Sequence, residues 1–187
     1  LSSLIIIDND KVSKLYPGMT VKSFWPNINN SVASLFDIFN RLSALSSQYT
    51  SFDPVDYQSI MESGGCAIMG LTKVKDINDK FAVSKAVKTN LEKTLLAGGF
   101  DLATADSAGC IAVGGKQMMS SAEGLQDNID FAFDVLSDLC GKATVHRGIY
   151  EDGKDSLRVY TIIGGMNAPA ERLQELRSYA ALEAGVV

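Results

Sequence analysis

The chain has 187 residues, of which 46% are hydrophobic, so it is long enough to bury a sizeable core. Its formal net charge of -5 excludes the basic surface that nucleic-acid binding requires, and we expect no nucleic-acid partner. The apolar runs are too short to cross a bilayer and the N-terminus has no signal-peptide pattern, so no membrane span is expected.

Three cysteines, Cys66, Cys110 and Cys140, lie in apolar surroundings without C-x-x-C spacing. This pattern predicts neither a disulfide framework nor a zinc site, and we expect no bound metal in this chain. We interpret the cysteines as reduced core residues of a cytoplasmic protein. The chain opens with LSSLIII rather than a methionine, and we expect it to be a piece of a longer protein.

The first predicted element is a strand over residues 4–7, whose continuous β-branched run is typical of burial on both faces. Polar residues 8–10 end the run and can cap a short helix over residues 11–16. The neighbouring sequence supplies no sheet for this strand. We therefore expect its partners to lie outside the chain, or its pairing here to be makeshift.

The longest predicted helix covers residues 23–46 and would measure about 36 Å. Its apolar side chains recur at spacings of three and four, at Trp25, Ile28, Val32, Leu35, Phe39 and Leu42. Others lie off this stripe, which predicts burial on more than one side. Pro26 is acceptable because it falls in the first predicted turn. The asparagines near the helix start, Asn30 among them, are either a solvated helix end or amides that contact a ligand.

Two carboxylates three positions apart, Asp53 and Asp56, follow the long helix. Asp53 precedes Pro54, which predicts a helix that begins at Pro54 with Asp53 as its cap. As caps and dipole partners the acids would contribute about 1 kcal/mol. As catalysts they could orient and deprotonate a water that attacks a phosphoryl group. Because the chain has no phosphate-binding loop, they would then form half of a site.

The remaining sequence alternates strand and helix patterns. Strands are predicted over residues 66–71, 110–113, 143–150 and 157–163, and helices over 78–89 and 120–140. The predicted fold class is α/β (α+β), with a four-stranded mixed sheet in the order βαβαββ and packed helices. The first three strands are expected to run parallel, and an Asp152-Gly153 turn predicts a hairpin to the fourth.

Smaller signals complete the prediction. Residues 120–123 read as a capping box that opens the second helix, and Gly141 as its stop. A final, loosely attached helix is expected from about residue 167 through Tyr179. His146, the only histidine, lies within a strand, and no acid is placed near it by sequence spacing, so neither a triad nor a metal role is predicted.

The motifs taken in order resemble a known family. LIIIDNDKV, a long helix with N-N-S-V, then S-F-D-P-V-D, a G-x-A-I-M-G strand and D-S-L-R-V-Y-T-I-I-G-G are similar to the later half of FtsZ, the prokaryotic tubulin relative. The resemblance extends from residue 4 to about residue 165. It implies the C-terminal half of an FtsZ/tubulin-like GTPase, either a cell-division FtsZ or a divergent paralogue.

The resemblance also implies a domain division. Residues 1–46 would be the last strand and central helix of a nucleotide-binding domain that is otherwise missing, and residues 47–187 the C-terminal domain. The parent protein would bind GTP and Mg and polymerise into filaments, whereas no cofactor is expected in this piece. Apolar surface left by the missing domain predicts that the piece self-associates as a homo-oligomer.

The family pattern N-x-D-x-x-D assigns roles to individual residues. Asp53 and Asp56 match its two acids, which complete the GTPase site of the adjacent subunit, while Ser51 replaces the asparagine and puts the hydrolysis rate in question. Asn30 matches the residue that contacts guanine. Trp25 lies beside Pro26, where an aromatic residue is expected, and can substitute for it in stacking on the base.

Two other functions fit the residues. The chain could be a self-contained small-molecule-binding α/β domain with a pocket at the sheet edge. It could also be a structural filament or adaptor module without hydrolysis, in which the acids only cap a helix.

Overall fold

The computed structural model describes residues 2–15, 17–92 and 98–183. Its helices are α1 (Asn9–Leu15), α2 (Val21–Ser43), α3 (Pro54–Glu62), α4 (Ala82–Glu92), α5 (Lys116–Ser121), α6 (Leu125–Cys140) and α7 (Ala170–Glu183). Its strands are β1 (Cys66–Lys73), β2 (Ser107–Gly115), β3 (Thr144–Asp152) and β4 (Arg158–Met166). The predicted fold class is confirmed: the strands form one mixed sheet with helices packed on it.

The strands are ordered β1-β4-β2-β3 across the sheet. β4 runs antiparallel to both β1 and β2, and β2 runs parallel to β3, so the predicted strand directions are confirmed. The predicted hairpin is wrong, because β2 separates β3 from β4. Burial explains the order: β2 is buried along its whole length and β4 along most of it, as central strands require.

The connection from β3 to β4 passes over the end of β2. A Cβ at Gly115 would lie 2.5 Å from the carbonyl oxygen of Lys154, so only a glycine permits this close crossing. Leu157, just before β4, is fully buried and anchors the returning chain. The Asp152-Gly153 turn is thus part of a crossover rather than of a hairpin.

Helices cover both faces of the sheet. A Cβ at Gly70 would meet Asn90 of α4, and one at Gly109 would meet Ile60 of α3. In β4, the residues that pair with these two glycines are consecutive in sequence. Consecutive strand residues point to opposite faces of a sheet, so the two glycines lie on opposite faces as well. α4 and α6 therefore pack on one face, and α3 and the C-terminal half of α2 on the other, which is the face that carries the acids.

The N-terminal segment differs from its prediction. Leu4 forms a single parallel bridge with Cys66. Its amide donates to the Gly65 carbonyl and its carbonyl accepts from the Ala67 amide, both at 2.9 Å. Leu4 is 58% exposed, so a strand buried on both faces is not what forms here. The segment lies along the edge of β1, and Ile5 within it is partly buried against the core. Whether its native partners lie outside this chain stays a prediction.

Helix α2 begins two residues earlier than predicted. Thr20 caps it by accepting a hydrogen bond from the Ser23 amide, so Pro26 falls in the second turn and not in the first. The buried apolar side chains described in α2 form one stripe, made up of Ile28, Leu35, Phe39 and Leu42. Off that stripe the apolar side chains are partly buried at most, and Trp25 is 45% exposed. Burial on more than one side is therefore only partial.

The region before α6 also departs from the prediction. Ser120 and Ser121 form the last turn of α5, and α6 begins after Gly124, which has a φ of 72° and provides no side-chain cap. The capping-box prediction is wrong because this left-handed glycine separates the two helices. The predicted stop is confirmed: Gly141, with a φ of 60°, follows the last residue of α6.

The three cysteines are free and buried, as predicted. Burial raises the pKa of Cys110 to about 12 and that of Cys140 to about 11, so both thiols stay protonated at neutral pH. Among the described residues, no helix is long and apolar enough to cross a bilayer.

A bidentate ion pair between Arg172 and Asp8 attaches helix α7 to the N-terminal segment. Arg172 Nε lies 2.6 Å from Asp8 Oδ2, and its Nη2 lies 3.0 Å from Asp8 Oδ1. These bonds hold the pKa of Asp8 below its usual value, although burial opposes them. The stabilisation is present above the ordinary carboxyl pKa and is lost as pH falls through the lowered value.

Removing this charge should release α7. We expect Asp8→Asn, which can still cap α1, to make trypsin cleavage at Arg177 several times faster at neutral pH. Wild-type protein should show the same change only under strongly acidic conditions, detected with an acid-active protease. Asp10→Asn is the matched control, because Asp10 lies 3.6 Å from Arg172 and pairs mainly with Lys14. Equal cleavage of both variants would contradict the prediction.

Candidate functional site

Residues 51–56, here called the acidic loop, comprise the end of the connection from α2 and the first residues of α3. A group of aromatic rings fixes its place. Phe39 of α2 stacks on Tyr57 of α3 with ring centroids 6.1 Å apart, and meets Phe52 of the loop and Tyr160 of β4 at 6.3 Å each. Phe39 and Phe52 are fully buried. The long helix, the acidic loop and the sheet therefore share one rigid core.

The edge strand β3 holds the loop by hydrogen bonds. The Ile149 amide donates to the Thr50 carbonyl at 2.8 Å, and Tyr49 donates to Glu151 at 2.6 Å. The hydroxyl of Tyr150 accepts from the Phe52 amide at 2.8 Å and donates to the Phe52 carbonyl at 3.0 Å. Burial raises the pKa of Tyr150, which keeps the hydroxyl protonated for this double contact.

The two predicted site acids form a reciprocal cap at the start of α3. Asp53 Oδ1 accepts from the amides of Val55 and Asp56 at 2.8 and 2.9 Å. Asp56 Oδ2 accepts from the Asp53 amide at 3.0 Å. The predicted helix start is confirmed. The cap also fixes both carboxylates at the positive end of the helix dipole.

A histidine from β3 completes the arrangement. His146 Nδ1 lies 2.6 Å from Asp56 Oδ1, and the two side chains are only 17% and 23% exposed. Sequence spacing places no acid near His146, but the fold brings Asp56 against it. The contact joins residues 90 positions apart through strand register, since β3 places His146 opposite Gly109 on the face where α3 packs. No spacing in the sequence could have revealed it.

The two acids are not equivalent. Both oxygens of Asp56 are engaged: Oδ2 accepts a hydrogen bond within the cap, and Oδ1 lies 2.6 Å from His146 Nδ1. Asp53 is exposed, and its Oδ2 has no partner among the residues that the structure describes. One carboxylate is therefore held in place, and the other presents a free oxygen to the outside.

Ser51, which stands where the family pattern has asparagine, faces its own loop. Its hydroxyl accepts a hydrogen bond from the Ser47 amide at 3.0 Å. The Ser47 hydroxyl in turn donates to the carbonyl of Ile149 in β3. Ser51 therefore supports the turn after α2.

The predicted nucleotide contacts lie far from the acids. Asn30 and Trp25 are exposed on the N-terminal half of α2. From Asn30 to the end of that helix at Ser43 the rise is about 20 Å. Trp25 packs edge-on against Phe24, with ring centroids 5.1 Å apart. Within one chain these residues and the acids cannot form a single pocket, and the nucleotide role stays a prediction.

Within residues 2–15, 17–92 and 98–183, no group of three or more His, Cys, Asp or Glu side chains is placed to hold a metal ion. Asp56, His146 and Asp53 do not make up such a group, and their contacts are hydrogen bonds.

The sheet order with a long helix ahead of it defines the class of protein: the fold is that of the C-terminal half of tubulin/FtsZ-like proteins. Protofilaments of TubZ in the GDP form, from Bacillus thuringiensis serovar israelensis, match with a TM-score of 0.80 and 16% identity, over 100% of this chain and 49% of that chain. CetZ2 from Haloferax volcanii, a GTPgS-bound protofilament, matches with a TM-score of 0.71 and 20% identity, over 99% and 53%. An FtsZ dimer from M. jannaschii matches with a TM-score of 0.68 and 20% identity, over 87% of this chain and 45% of that chain.

The family can be stated more closely. The sequence model of the TubZ-like C-terminal domain, described as tubulin/FtsZ-like, matches residues 39–177. The chain therefore belongs to the TubZ-like C-terminal domain family. It spans about half the length of the solved structures it matches. No curated protein sequence matches it significantly.

Proposed function

We propose that this chain is the C-terminal part of a filament-forming, GTP-binding protein, and that its acidic loop completes the GTPase site of the adjacent subunit. Family membership supports the proposal, as do the relatives solved as protofilaments in GDP or GTPgS form. The free cysteines are in keeping with a cytoplasmic location for such a protein.

The observation that carries the proposal is the free Oδ2 of Asp53. An exposed carboxylate at the start of a helix, held by two backbone amides, is ready to accept a hydrogen bond from a molecule outside the chain. The chain has no phosphate-binding loop of its own. A neighbouring subunit that presents a nucleotide would supply the part of the site that this chain lacks.

The chemistry assigned to the two acids follows their surroundings. Asp53 would accept a proton from the water that attacks the terminal phosphoryl group of GTP. Asp56 would keep Asp53 in place through the reciprocal cap. Because phosphoryl transfer depends mostly on positioning and charge, a rigid loop serves it better than a mobile one.

The nucleotide contacts belong to the same proposal. Asn30 would contact guanine and Trp25 would stack on the base of the nucleotide bound by its own subunit, whose GTP and Mg the missing domain would hold. Their distance from Asp53 fits a filament in which each subunit uses its nucleotide at one end and its acidic loop at the other.

The test is GTP turnover by the full-length protein that contains this chain. We expect the Asp53→Ala, Asp56→Ala double variant to lose turnover by about 100-fold or more at concentrations where wild-type protein assembles. Wild-type turnover per subunit should rise with protein concentration, because the site needs two subunits. Unchanged turnover in the variant would exclude the catalytic role, and turnover independent of concentration would exclude action between subunits. Assembly with bound GTP but without wild-type turnover would favour a structural filament module.

A further inference from the structure

We propose that His146 is a positioning residue for the acidic loop, and that it sets the rate of GTP hydrolysis from the edge strand of the sheet. The inference rests on the proposed function. His146 would not touch the nucleotide or the attacking water, since its hydrogen bond goes to Asp56 and its ring is mostly buried. Its effect would pass through Asp56 to Asp53.

The hydrogen bonds form a continuous path. His146 Nδ1 lies 2.6 Å from Asp56 Oδ1, within hydrogen-bonding distance, and Asp56 Oδ2 accepts from the Asp53 amide at 3.0 Å. Asp53 Oδ1 accepts from the Asp56 amide at 2.9 Å. Without the imidazole, the Asp56 carboxylate keeps one hydrogen bond and can rotate about its side-chain bonds. The free oxygen of Asp53 would then lose its fixed direction.

We expect the domain to fold without this histidine. α3 is already held on the sheet by the buried side chains of Ile60 and Phe52, and the start of the helix is secured by its own cap. His146 Nε2 is buried and has no hydrogen-bonding partner among the described residues. A buried polar atom without a partner lowers stability. An aliphatic residue would pack there without that penalty, so the contact with Asp56 is what the imidazole adds.

The geometry of histidine suggests an isosteric test. The side-chain nitrogen of asparagine lies two bonds from Cβ, as Nδ1 of histidine does, whereas that of glutamine lies three bonds away, as Nε2 does. His146→Asn therefore retains a donor toward Asp56. His146→Gln displaces the donor, and His146→Leu removes it. Comparing the three variants separates the effect of the hydrogen bond from the effects of side-chain polarity and side-chain size.

The experiment measures kcat and KM for GTP in the full-length protein, with assembly followed by sedimentation. We expect His146→Leu to lower kcat by about 10-fold to 100-fold, with KM and the sedimented fraction near wild type. His146→Gln should be similarly low, and His146→Asn within about threefold of wild type. Arg147→Gln is the matched control on the same strand, because Arg147 pairs with Asp134 of α6 on the opposite face.

A second measurement does not depend on turnover. In this chain, a long-range ¹H–¹⁵N spectrum should show a hydrogen-bonded Nδ1 proton of His146 that disappears in Asp56→Ala. Absence of that signal in wild-type protein would overturn the inference. Two kinetic results would also overturn it, provided that Asp53→Ala abolishes turnover. One is a wild-type kcat in His146→Leu, and the other is an equal loss of kcat in His146→Asn and His146→Leu. If Asp53→Ala and Asp56→Ala leave turnover unchanged, the proposed function fails, and the positioning role fails with it.

Discussion

Asp53→Asn should abolish most of the GTP turnover of the full-length protein, by about 100-fold or more, without unfolding the domain. Asparagine is as good a helix cap as aspartate, and its side-chain oxygen can still accept from the amides of Val55 and Asp56. It cannot take up a proton. The substitution therefore removes the free Oδ2 while keeping the cap, and phosphate release under assembling conditions measures the result.

Stability and a second capping aspartate provide the controls. The free energy of unfolding of Asp53→Asn should stay within about 0.5 kcal/mol of wild type. Asp101 caps the single turn before β2 by accepting from the Ala103 amide, so Asp101→Asn makes the same chemical change away from the site. Its turnover should match wild type. Full activity of Asp53→Asn would show that Asp53 is only a cap.

Gly164→Ala should destabilise the domain by about 3 kcal/mol. A Cβ at Gly164 would lie 2.4 Å from the carbonyl oxygen of Ile60 and 2.6 Å from the hydroxyl oxygen of Ser63. The backbone of α3 would have to move away from β4, and the acidic loop would move with it. Urea unfolding followed by circular dichroism measures the loss, and the denaturant midpoint should fall with an unchanged slope.

Gly153→Ala is the matched control for this change. Within the part of the chain that the structure describes, no heavy atom other than those of its sequence neighbours lies within 4 Å of a Cβ built at Gly153, in the connection between β3 and β4. Its unfolding free energy should stay within about 0.5 kcal/mol of wild type. If the two alanine variants have the same free energy of unfolding, α3 is not packed against Gly164 as closely as described.

Local chemistry explains what could be predicted from the sequence. The helix start at Pro54 depends on adjacent residues, a capping aspartate and a proline, and the structure has it at that position. The stop at Gly141 depends on one residue that accepts a positive φ. The four strands depend on apolar runs. The resemblance of ordered motifs to FtsZ added the family, which neither composition nor spacing indicates.

Features set by distant contacts could not be predicted. The order of the strands depends on which of them tolerates burial on both faces, and a turn such as Asp152-Gly153 looks the same in a hairpin and in a crossover. The pairing of Asp56 with His146 depends on the register of β3 and the packing of α3. The unequal surroundings of Asp53 and Asp56 follow from that pairing, so the different roles proposed for them could not be predicted from the sequence either.

The central place of β4 has a consequence for how the protein is made. β4 is the last strand of the chain, yet it lies between the first two: Cys66 pairs with Met166, and Ser107 pairs with Gly164. β1 has no neighbour among the other named strands until β4 has left the ribosome. Strands that are so far apart in sequence pair slowly. During synthesis the β2–β3 pair can form first, so the strand that holds the acidic loop is in place before the sheet is complete.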